Sequence, residues 1–173
     1  MLLFLIMTLG THAAVGAVVA GLVPTNPVLG LGLAFTSHFV LDMIPHWDYQ
    51  LASAARDEVD ALNDDIIVGQ AFIYDLAKIG TDFALGLLGA LIILASFYDW
   101  TVWTWVIMGA IGGALPDALQ FVYFKWRREP LVSLQRFHQW VHTTIRLDGR
   151  PILGASLQVL LAGVVLGVYV LLH

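Results

Sequence analysis

The sequence contains no cysteine, and only 12% of its 173 residues are charged. Without cysteine there is no disulfide framework, no thiolate metal site and no cysteine nucleophile. An ordinary soluble domain carries about 25% charged residues, so this chain lacks the polar surface that such a domain presents to water. The remainder is strongly apolar, with 59% hydrophobic residues and a mean hydropathy of +0.82. These values predict an integral membrane protein.

Five apolar runs are each long enough to cross a bilayer as a helix, for which about 20 residues are needed. They cover residues 2–23, 28–44, 79–97, 102–124 and 152–172. Prolines in the segment 24–27 predict a tight turn, and so a hairpin of the first two runs. Asp64 and Asp65 are predicted to cap a helix that starts at Ile66 and continues into the third run. We therefore predict an all-α fold, with residues 1–173 forming a single integral membrane domain, a polytopic bundle of about five transmembrane helices.

Positive charge is confined to the two hydrophilic stretches, residues 46–78 and 125–151, which contain all eight lysines and arginines. With five spans, both stretches lie on the same side of the membrane as the N-terminus. The positive-inside rule assigns that side to the cytoplasm. We therefore predict a protein of the cytoplasmic (inner) membrane, with these two loops cytoplasmic and the C-terminus external. The lipid bilayer is its predicted partner, and no nucleic-acid partner is predicted.

Five ionisable side chains lie inside the apolar runs, where a membrane disfavours them: His12, His38, Asp42, Asp82 and Asp117. A charged group at the bilayer centre costs at least about 2.5–3.5 kcal/mol, and such groups normally face a bundle interior or a wet cavity. The runs contain no lysine or arginine that could neutralise the three carboxylates. Either the acids are protonated, or a cation that is not part of the chain binds among them.

The spacing of the polar residues favours a bound cation. Two pairs have the i, i+4 spacing that places both members on one helix face, namely His38 with Asp42 and His138 with His142. Imidazole and carboxylate groups are ligands for zinc, manganese and similar divalent ions. The predicted metal ligands are the ionisable residues of the spans together with the second histidine pair: His12, His38, Asp42, Asp82, Asp117, His138 and His142.

Each of these residues also has an ordinary structural explanation. A single intramembrane histidine can be a hydrogen-bonded packing residue, and Asp117 can be a protonated acid bonded to a carbonyl. Asp82 can interact with the N-terminus of a helix. His138 and His142 can belong to an interfacial helix with hydrated imidazoles, and Asp48, which follows a proline closely, can be a turn residue.

Four short motifs, spread over most of the chain, together carry a resemblance to a known family. They are Thr11-His12 followed by Gly16, Ser37-His38-xxx-Asp42, Gly113-Ala114-Leu115-Pro116-Asp117, and the segment of His138, His142 and Thr143. In these motifs the chain resembles the membrane-bound metal-dependent hydrolases of the LexA-regulated inner-membrane group, which are distantly similar to zinc-dependent phospholipases C and zinc nucleases. It departs from them in motif order, because the His38 motif here precedes Asp117.

The resemblance implies a helical fold and hydrolysis of a phosphoester, in a phospholipid or another lipid phosphate, by water that a metal activates. It implies two or three divalent ions, with zinc the first choice and manganese the second, held by the predicted ligands other than Asp82. His46 or Asp48 would act as general base or orient a ligand. Arginines of the second loop would bind the substrate phosphate: Arg127, Arg128, Arg136 and Arg146. Basic loops also arise from membrane topology alone.

Three other functions match the sequence less well or stay open. A lipid-phosphate phosphatase with a histidine nucleophile would place an arginine near the His38 motif, and none lies in residues 28–44. An intramembrane metalloprotease would have His-Glu-x-x-His, whereas residues 138–142 read His-Gln-Trp-Val-His. The alternative that stays open is an ion or metal transporter, or a non-catalytic membrane protein with a buried polar site.

Overall fold

The computed structural model describes residues 8–47, 50–95, 102–143, 145, 147 and 150–172. The described chain is all-helical, as predicted, with helices α1 (Thr8–Gly21), α2 (Pro27–Asp42), α3 (Gln70–Leu94), α4 (Val102–Lys125), α5 (Leu131–Val141) and α6 (Pro151–Leu172). Between α2 and α3 lie a 3-10 turn (Ala61–Asn63) and two short strands, β1 (Ala54–Ala55) and β2 (Asp65–Ile66). The strands pair antiparallel, with Ala54 opposite Ile66.

Among the described residues, three helices are long and apolar enough to cross a membrane: α3, α4 and α6. This is consistent with a membrane protein. The apolar helices α1 and α2 are shorter, because α1 is described only from Thr8 and α2 ends at Asp42. The prediction of five spans is therefore not confirmed, and the part of the first run before Thr8 lies outside the described residues.

The hairpin of α1 and α2 is built as the sequence predicts. The two helices are joined by a turn over residues 22–26. The side chain of Asn26 caps α2, since its Oδ1 accepts a hydrogen bond from the backbone N–H of Leu29 at 3.1 Å. Pro27 occupies the first position of the helix, where its missing N–H costs nothing.

Helix α1 lies at the centre of the fold and packs against α2, α3, α4 and α6. Close approach is possible because glycines face each other across the contacts. A Cβ added at Gly109 of α4 would lie 2.5 Å from the carbonyl oxygen of Gly16, and one added at Gly86 of α3 would run into Gly10. Such small-residue contacts replace the hydrophobic driving force that helices lack within a bilayer.

The start of α3 differs from the prediction. Asp65 and Ile66 form β2, and the helix begins only at Gln70, although it then runs unbroken through the third apolar run to Leu94. Asp75, which is 3% exposed, accepts hydrogen bonds from the backbone N–H (2.8 Å) and the hydroxyl (2.7 Å) of Ser53. Through Asp75, the first turns of α3 therefore bind the loop that contains Ser53.

The contact between β2 and the end of α4 gives a test of loop electrostatics. Lys125 Nζ lies 2.6 Å from Asp65 Oδ1 and also donates to the carbonyl oxygen of Ile66. The hydrogen bond from Lys125 lowers the pKa of Asp65 below its ordinary value of 3.8. The stabilisation is therefore present above pH 3.8 and is lost as the pH falls through the lowered pKa. Because both groups are exposed, we expect it to be below about 1 kcal/mol.

We expect Lys125→Met to raise the pKa of Asp65 toward its ordinary value, as followed by a carboxyl NMR titration. Asp57 is the matched control: its pKa is lowered by the backbone N–H groups of Asp60 and Val59 and should not change in the variant. An Asp65 carboxyl that titrates at the same pH with and without Lys125 would show that this ion pair does not form.

Candidate metal centre

Helices α1, α2 and α5 bring three imidazoles to one carboxylate, that of Asp42. Its Oδ1 lies 3.3 Å from His12 Nε2, and its Oδ2 lies 3.1 Å from His38 Nε2 and 2.7 Å from His138 Nε2. The His38 side chain is fully buried, and Asp42 is 2% exposed. The i, i+4 spacing of His38 and Asp42 thus places both on the buried face of α2, as the sequence predicts.

Helix α4 adds a second carboxylate at the edge of this group. Asp117 Oδ1 lies 3.5 Å from His38 Nε2, and the Asp117 side chain is 40% exposed. His12, His38 and Asp117 each offer a ligand atom, and these three atoms lie within 4.8 Å of one another, close enough to share a cation. Because the Asp117 side chain is partly exposed, the cluster is accessible from the side of α4.

Two further histidines lie just beyond the C-terminal ends of helices, His46 after α2 and His142 after α5. Their ring centroids are 4.9 Å apart. One ring nitrogen of His46, one ring nitrogen of His142 and one carboxylate oxygen of Asp42 lie within 4.8 Å of one another. The backbone N–H of Thr143 donates to the carbonyl oxygen of Asp42 at 2.8 Å, which holds the chain after α5 against the end of α2.

The orientation of the His38 ring indicates where its lone pair points. His38 Nδ1 lies 2.7 Å from the carbonyl oxygen of Gly113, and because a carbonyl only accepts, Nδ1 carries the proton. In the neutral ring, Nε2 then presents a lone pair to the carboxylate of Asp42 and to His138 Nε2, 3.2 Å away. A proton or a cation is needed between these acceptors. Histidines that bind metals usually donate the other ring N–H in this way.

Close packing of α1 on α4 makes this arrangement possible. A Cβ added at Gly113 would run into the carbonyl oxygen of His12. The absence of a side chain at Gly113 therefore lets α1 bring His12 into the cluster, where its ring stacks on that of His38 with centroids 4.0 Å apart. Gly113 also supplies the carbonyl oxygen that orients His38.

The structure does not bring Asp82 to the cluster. Asp82 is 2% exposed, and its Oδ2 accepts a hydrogen bond from the backbone N–H of Gly10 at 3.0 Å. It therefore lies at the start of α1, where a carboxylate interacts favourably with free N–H groups and the helix dipole. The predicted catalytic residue Asp48 lies outside the described residues.

The predicted phosphate-binding arginines are not gathered at the cluster either. The Arg127 guanidinium donates to the carbonyl oxygens of Leu62, Asn63 and Asp64 at 3.0, 3.1 and 2.9 Å, so it secures the 3-10 turn. Arg128 and Arg136 are exposed, and in the described part of the chain no ion pair joins them to the cluster. Arg146 lies outside the described residues.

Sequence reasoning missed two buried amides. Gln135 of α5 is 2% exposed and lies one turn from His138, and Gln158 of α6 is 7% exposed. Gln158 Nε2 donates to the carbonyl oxygen of Trp47 at 2.9 Å, which joins α6 to the chain beyond α2. For Gln158 the available signal is a polar amide inside an otherwise apolar run, residues 152–172.

Comparison with protein-family models, with curated proteins and with solved structures gives no match to this chain. The resemblance to membrane-bound metal-dependent hydrolases therefore stays a prediction from four motifs. The histidines and aspartates of those motifs are the residues that the structure gathers into one cluster: His12, His38, Asp42, Asp117, His138 and His142.

Proposed function

We propose that this protein is a membrane-embedded, divalent-metal-dependent hydrolase. The observation that carries the proposal is the approach of three histidine Nε2 atoms to the carboxylate of Asp42. In the described residues no lysine or arginine forms an ion pair with Asp42 or Asp117, so the charge of the two acids is left to the imidazoles or to a bound cation.

The donor set fits a divalent ion. Nitrogen and carboxylate ligands suit zinc, and manganese next. The ligand atoms fall into three overlapping groups, which supports two or three ions: His12, His38 and Asp117; His38, Asp42 and His138; and Asp42, His46 and His142. His38 fits the role of ligand in particular, because its Nδ1–H is held by Gly113 and its Nε2 faces the other donors.

The proposed reaction is hydrolysis of a phosphoester in a phospholipid or another lipid phosphate. A divalent cation supplies Lewis acidity, which stabilises charge on phosphoryl oxygens and lowers the pKa of water toward neutrality. Asp117 is proposed to mark an edge by which a substrate reaches the cluster, since its side chain is 40% exposed while that of His38 beside it is fully buried. With two ions, held by the groups that lack His46, His46 is proposed to accept a proton at Nε2 or to orient a ligand, because its Nδ1 bonds the carbonyl oxygen of Ile44 at 2.7 Å and its ring lies beside His142.

We propose the cytoplasmic side of the inner membrane as the location of the site. The chain that flanks the cluster belongs to the two loops, residues 46–78 and 125–151, that contain all the lysines and arginines. The positive-inside rule assigns such loops to the cytoplasm. A phosphoester at the headgroup level of that leaflet would lie at the depth of the ends of α2 and α5.

The proposal is tested with the full chain reconstituted in lipid vesicles and loaded with zinc or manganese. We expect hydrolysis of a phospholipid or of a model phosphodiester, and a loss of about 100-fold or more in His138→Ala, since removal of an outer partner of a ligand already costs 10–100-fold. Gln139→Ala, on the same helix, is the matched control and should retain the rate.

Absence of metal-dependent hydrolysis with all of these substrates would overturn the enzymatic proposal. Cation flux into vesicles without hydrolysis would identify the transporter instead, because buried carboxylates and imidazoles also serve as cation relays. Neither flux nor hydrolysis would leave a non-catalytic membrane protein with a buried polar site.

A further inference from the structure

His12 differs from His38, His46 and His142 in the partner of its Nδ1 atom. The Nδ1 atoms of His38 and His46 each lie 2.7 Å from a backbone carbonyl oxygen, and the Nδ1 atom of His142 lies 3.3 Å from one. His12 is 7% exposed, and its Nδ1 is buried without a hydrogen-bond partner among the described residues. Buried polar groups are normally satisfied by protein or by ordered water.

A small cavity lies beside His12, between α1, the end of α2 and α6. Its walls are mainly leucine and isoleucine side chains, and its polar lining comes from Thr11, His12, His46 and Gln158. A volume of about 20 Å³ in it is open to the centre of a water molecule. One water molecule needs about 10–15 Å³ by this measure, so the cavity fits one water molecule and little more.

The polar groups around the cavity are suited to water. Gln158 uses its Nε2 on the carbonyl oxygen of Trp47 at 2.9 Å, which fixes the amide and directs Oε1 to the other side. Thr11 Oγ1 lies 3.5 Å from this Oε1, a distance at the limit for a hydrogen bond. Both oxygens can accept hydrogen bonds, while His12 Nδ1 can donate one. A water molecule in a protein interior typically makes about three hydrogen bonds.

We infer that one ordered water molecule binds in this cavity, accepts a hydrogen bond from His12 Nδ1–H and donates to Gln158 Oε1 and Thr11 Oγ1. Gln158 and Thr11 are thereby positioning residues, which act on the cluster through His12. The water gives His12 the same tautomer as His38 and His46, with the Nε2 lone pair directed toward Asp42. The role of His12 as a ligand, and with it the direction of its hydrogen bond to the water, rests on the proposed function, whereas the presence of the water does not.

The size and the walls of the cavity decide between water and other occupants. A substrate headgroup or a hydrocarbon chain is too large for the volume. Besides Thr11, His12, His46 and Gln158, the lining that the structure describes is apolar, and no carboxylate, lysine or arginine in it offers a formal charge to an ion. Water alone matches both the volume and the three polar groups.

The test is solid-state NMR of the full chain, labelled with ¹⁵N-histidine and embedded in lipid bilayers. We expect magnetisation transfer between water and His12 Nδ1 in the wild type, and its loss in Gln158→Leu and in Thr11→Val. Thr11→Ser restores the hydroxyl and should restore the transfer. Ser156→Ala is the matched control on α6, since the Ser156 hydroxyl is exposed and donates to the carbonyl oxygen of Ile152.

Zinc titration supplies a second readout. We expect Gln158→Leu and Thr11→Val to weaken zinc binding by about 10–100-fold, as loss of an outer-shell partner does, and Thr11→Ser to retain it. If Gln158→Leu does not fold, Thr11→Val carries the test. Absence of water transfer to His12 Nδ1 in the wild type would overturn the inference. Water transfer in a protein that binds no zinc would support the water site and overturn the proposed metal centre.

Discussion

Replacement of Asp42 with Asn should remove the divalent metal from the purified protein and weaken zinc binding by at least about 100-fold, more than loss of an outer-shell partner would. Asn has nearly the same shape but lacks the negative charge, and its NH₂ group would face the Nε2 atoms of His12, His38 or His138. Because Asp42 contacts all three imidazoles, no neighbouring residue can replace it. Elemental analysis and zinc titration measure the result.

Asp82→Asn is the matched control for this substitution. Asp82 and Asp42 are both buried carboxylates on helices, and each is 2% exposed. They differ in their partners, because Asp82 Oδ2 accepts a hydrogen bond from the backbone N–H of Gly10, whereas Asp42 faces histidines. We expect this variant to retain its metal and to lose about 1 kcal/mol of stability, as weakening of a helix cap does. Equal metal binding in the Asp42 variant and the wild type would contradict the proposed centre, and so would equal loss in both variants.

Much of the cluster could be predicted from local periodicity. The i, i+4 spacing of His38 and Asp42 requires only a helix to place both on one face, and α2 provides it. The depth of a polar residue in an apolar run is likewise read from the sequence. The sequence does not reveal which polar partner a residue meets. The depth of Asp82 therefore predicts a ligand, although its carboxylate lies against the start of α1.

Tertiary contacts explain where local reasoning was wrong about α3. Asp64 and Asp65 have the side chains of helix caps, but Lys125 and Arg127 bind this segment from the end of α4. The segment forms β2 instead of a first helical turn, and α3 begins at Gln70. Local capping preferences amount to about 1 kcal/mol and are easily outweighed by several such contacts.

The number of membrane spans depends on helix ends that hydropathy does not define. The run 28–44 continues with Met43 and Ile44 after Asp42, yet α2 ends at Asp42, and beyond it the chain brings His46 beside His142. The sequence does not indicate that the carbonyl oxygen of Gly113 orients His38, and it shows Gln158 only as a polar residue in an apolar run. A backbone group or a neutral amide acquires its role only from the helices that pack around it.

Replacement of Gly86 with Ala should be among the most destabilising single-methyl changes in the chain. The added Cβ would lie 2.5 Å from Gly10 Cα, closer than real Cβ atoms approach, and the nearest atoms are backbone that cannot rotate away. Overpacking typically costs about 1–3 kcal/mol, and because the clashing atoms are backbone we expect the upper end of this range. Because α1 would have to move, His12 would also move away from Asp42, so we expect weaker zinc binding together with a lower unfolding temperature in detergent.

Gly89 of the same helix separates this packing effect from the loss of glycine itself. A Cβ at Gly89 meets nothing within 4 Å, so Gly89→Ala adds a methyl group without displacing α1. Ala favours a helix over Gly by about 1 kcal/mol, and we expect this variant to be as stable as the wild type or slightly more so. If the two variants unfold at the same temperature, α1 and α3 are not in backbone contact at Gly10. His12 would then lose the support that places it beside Asp42.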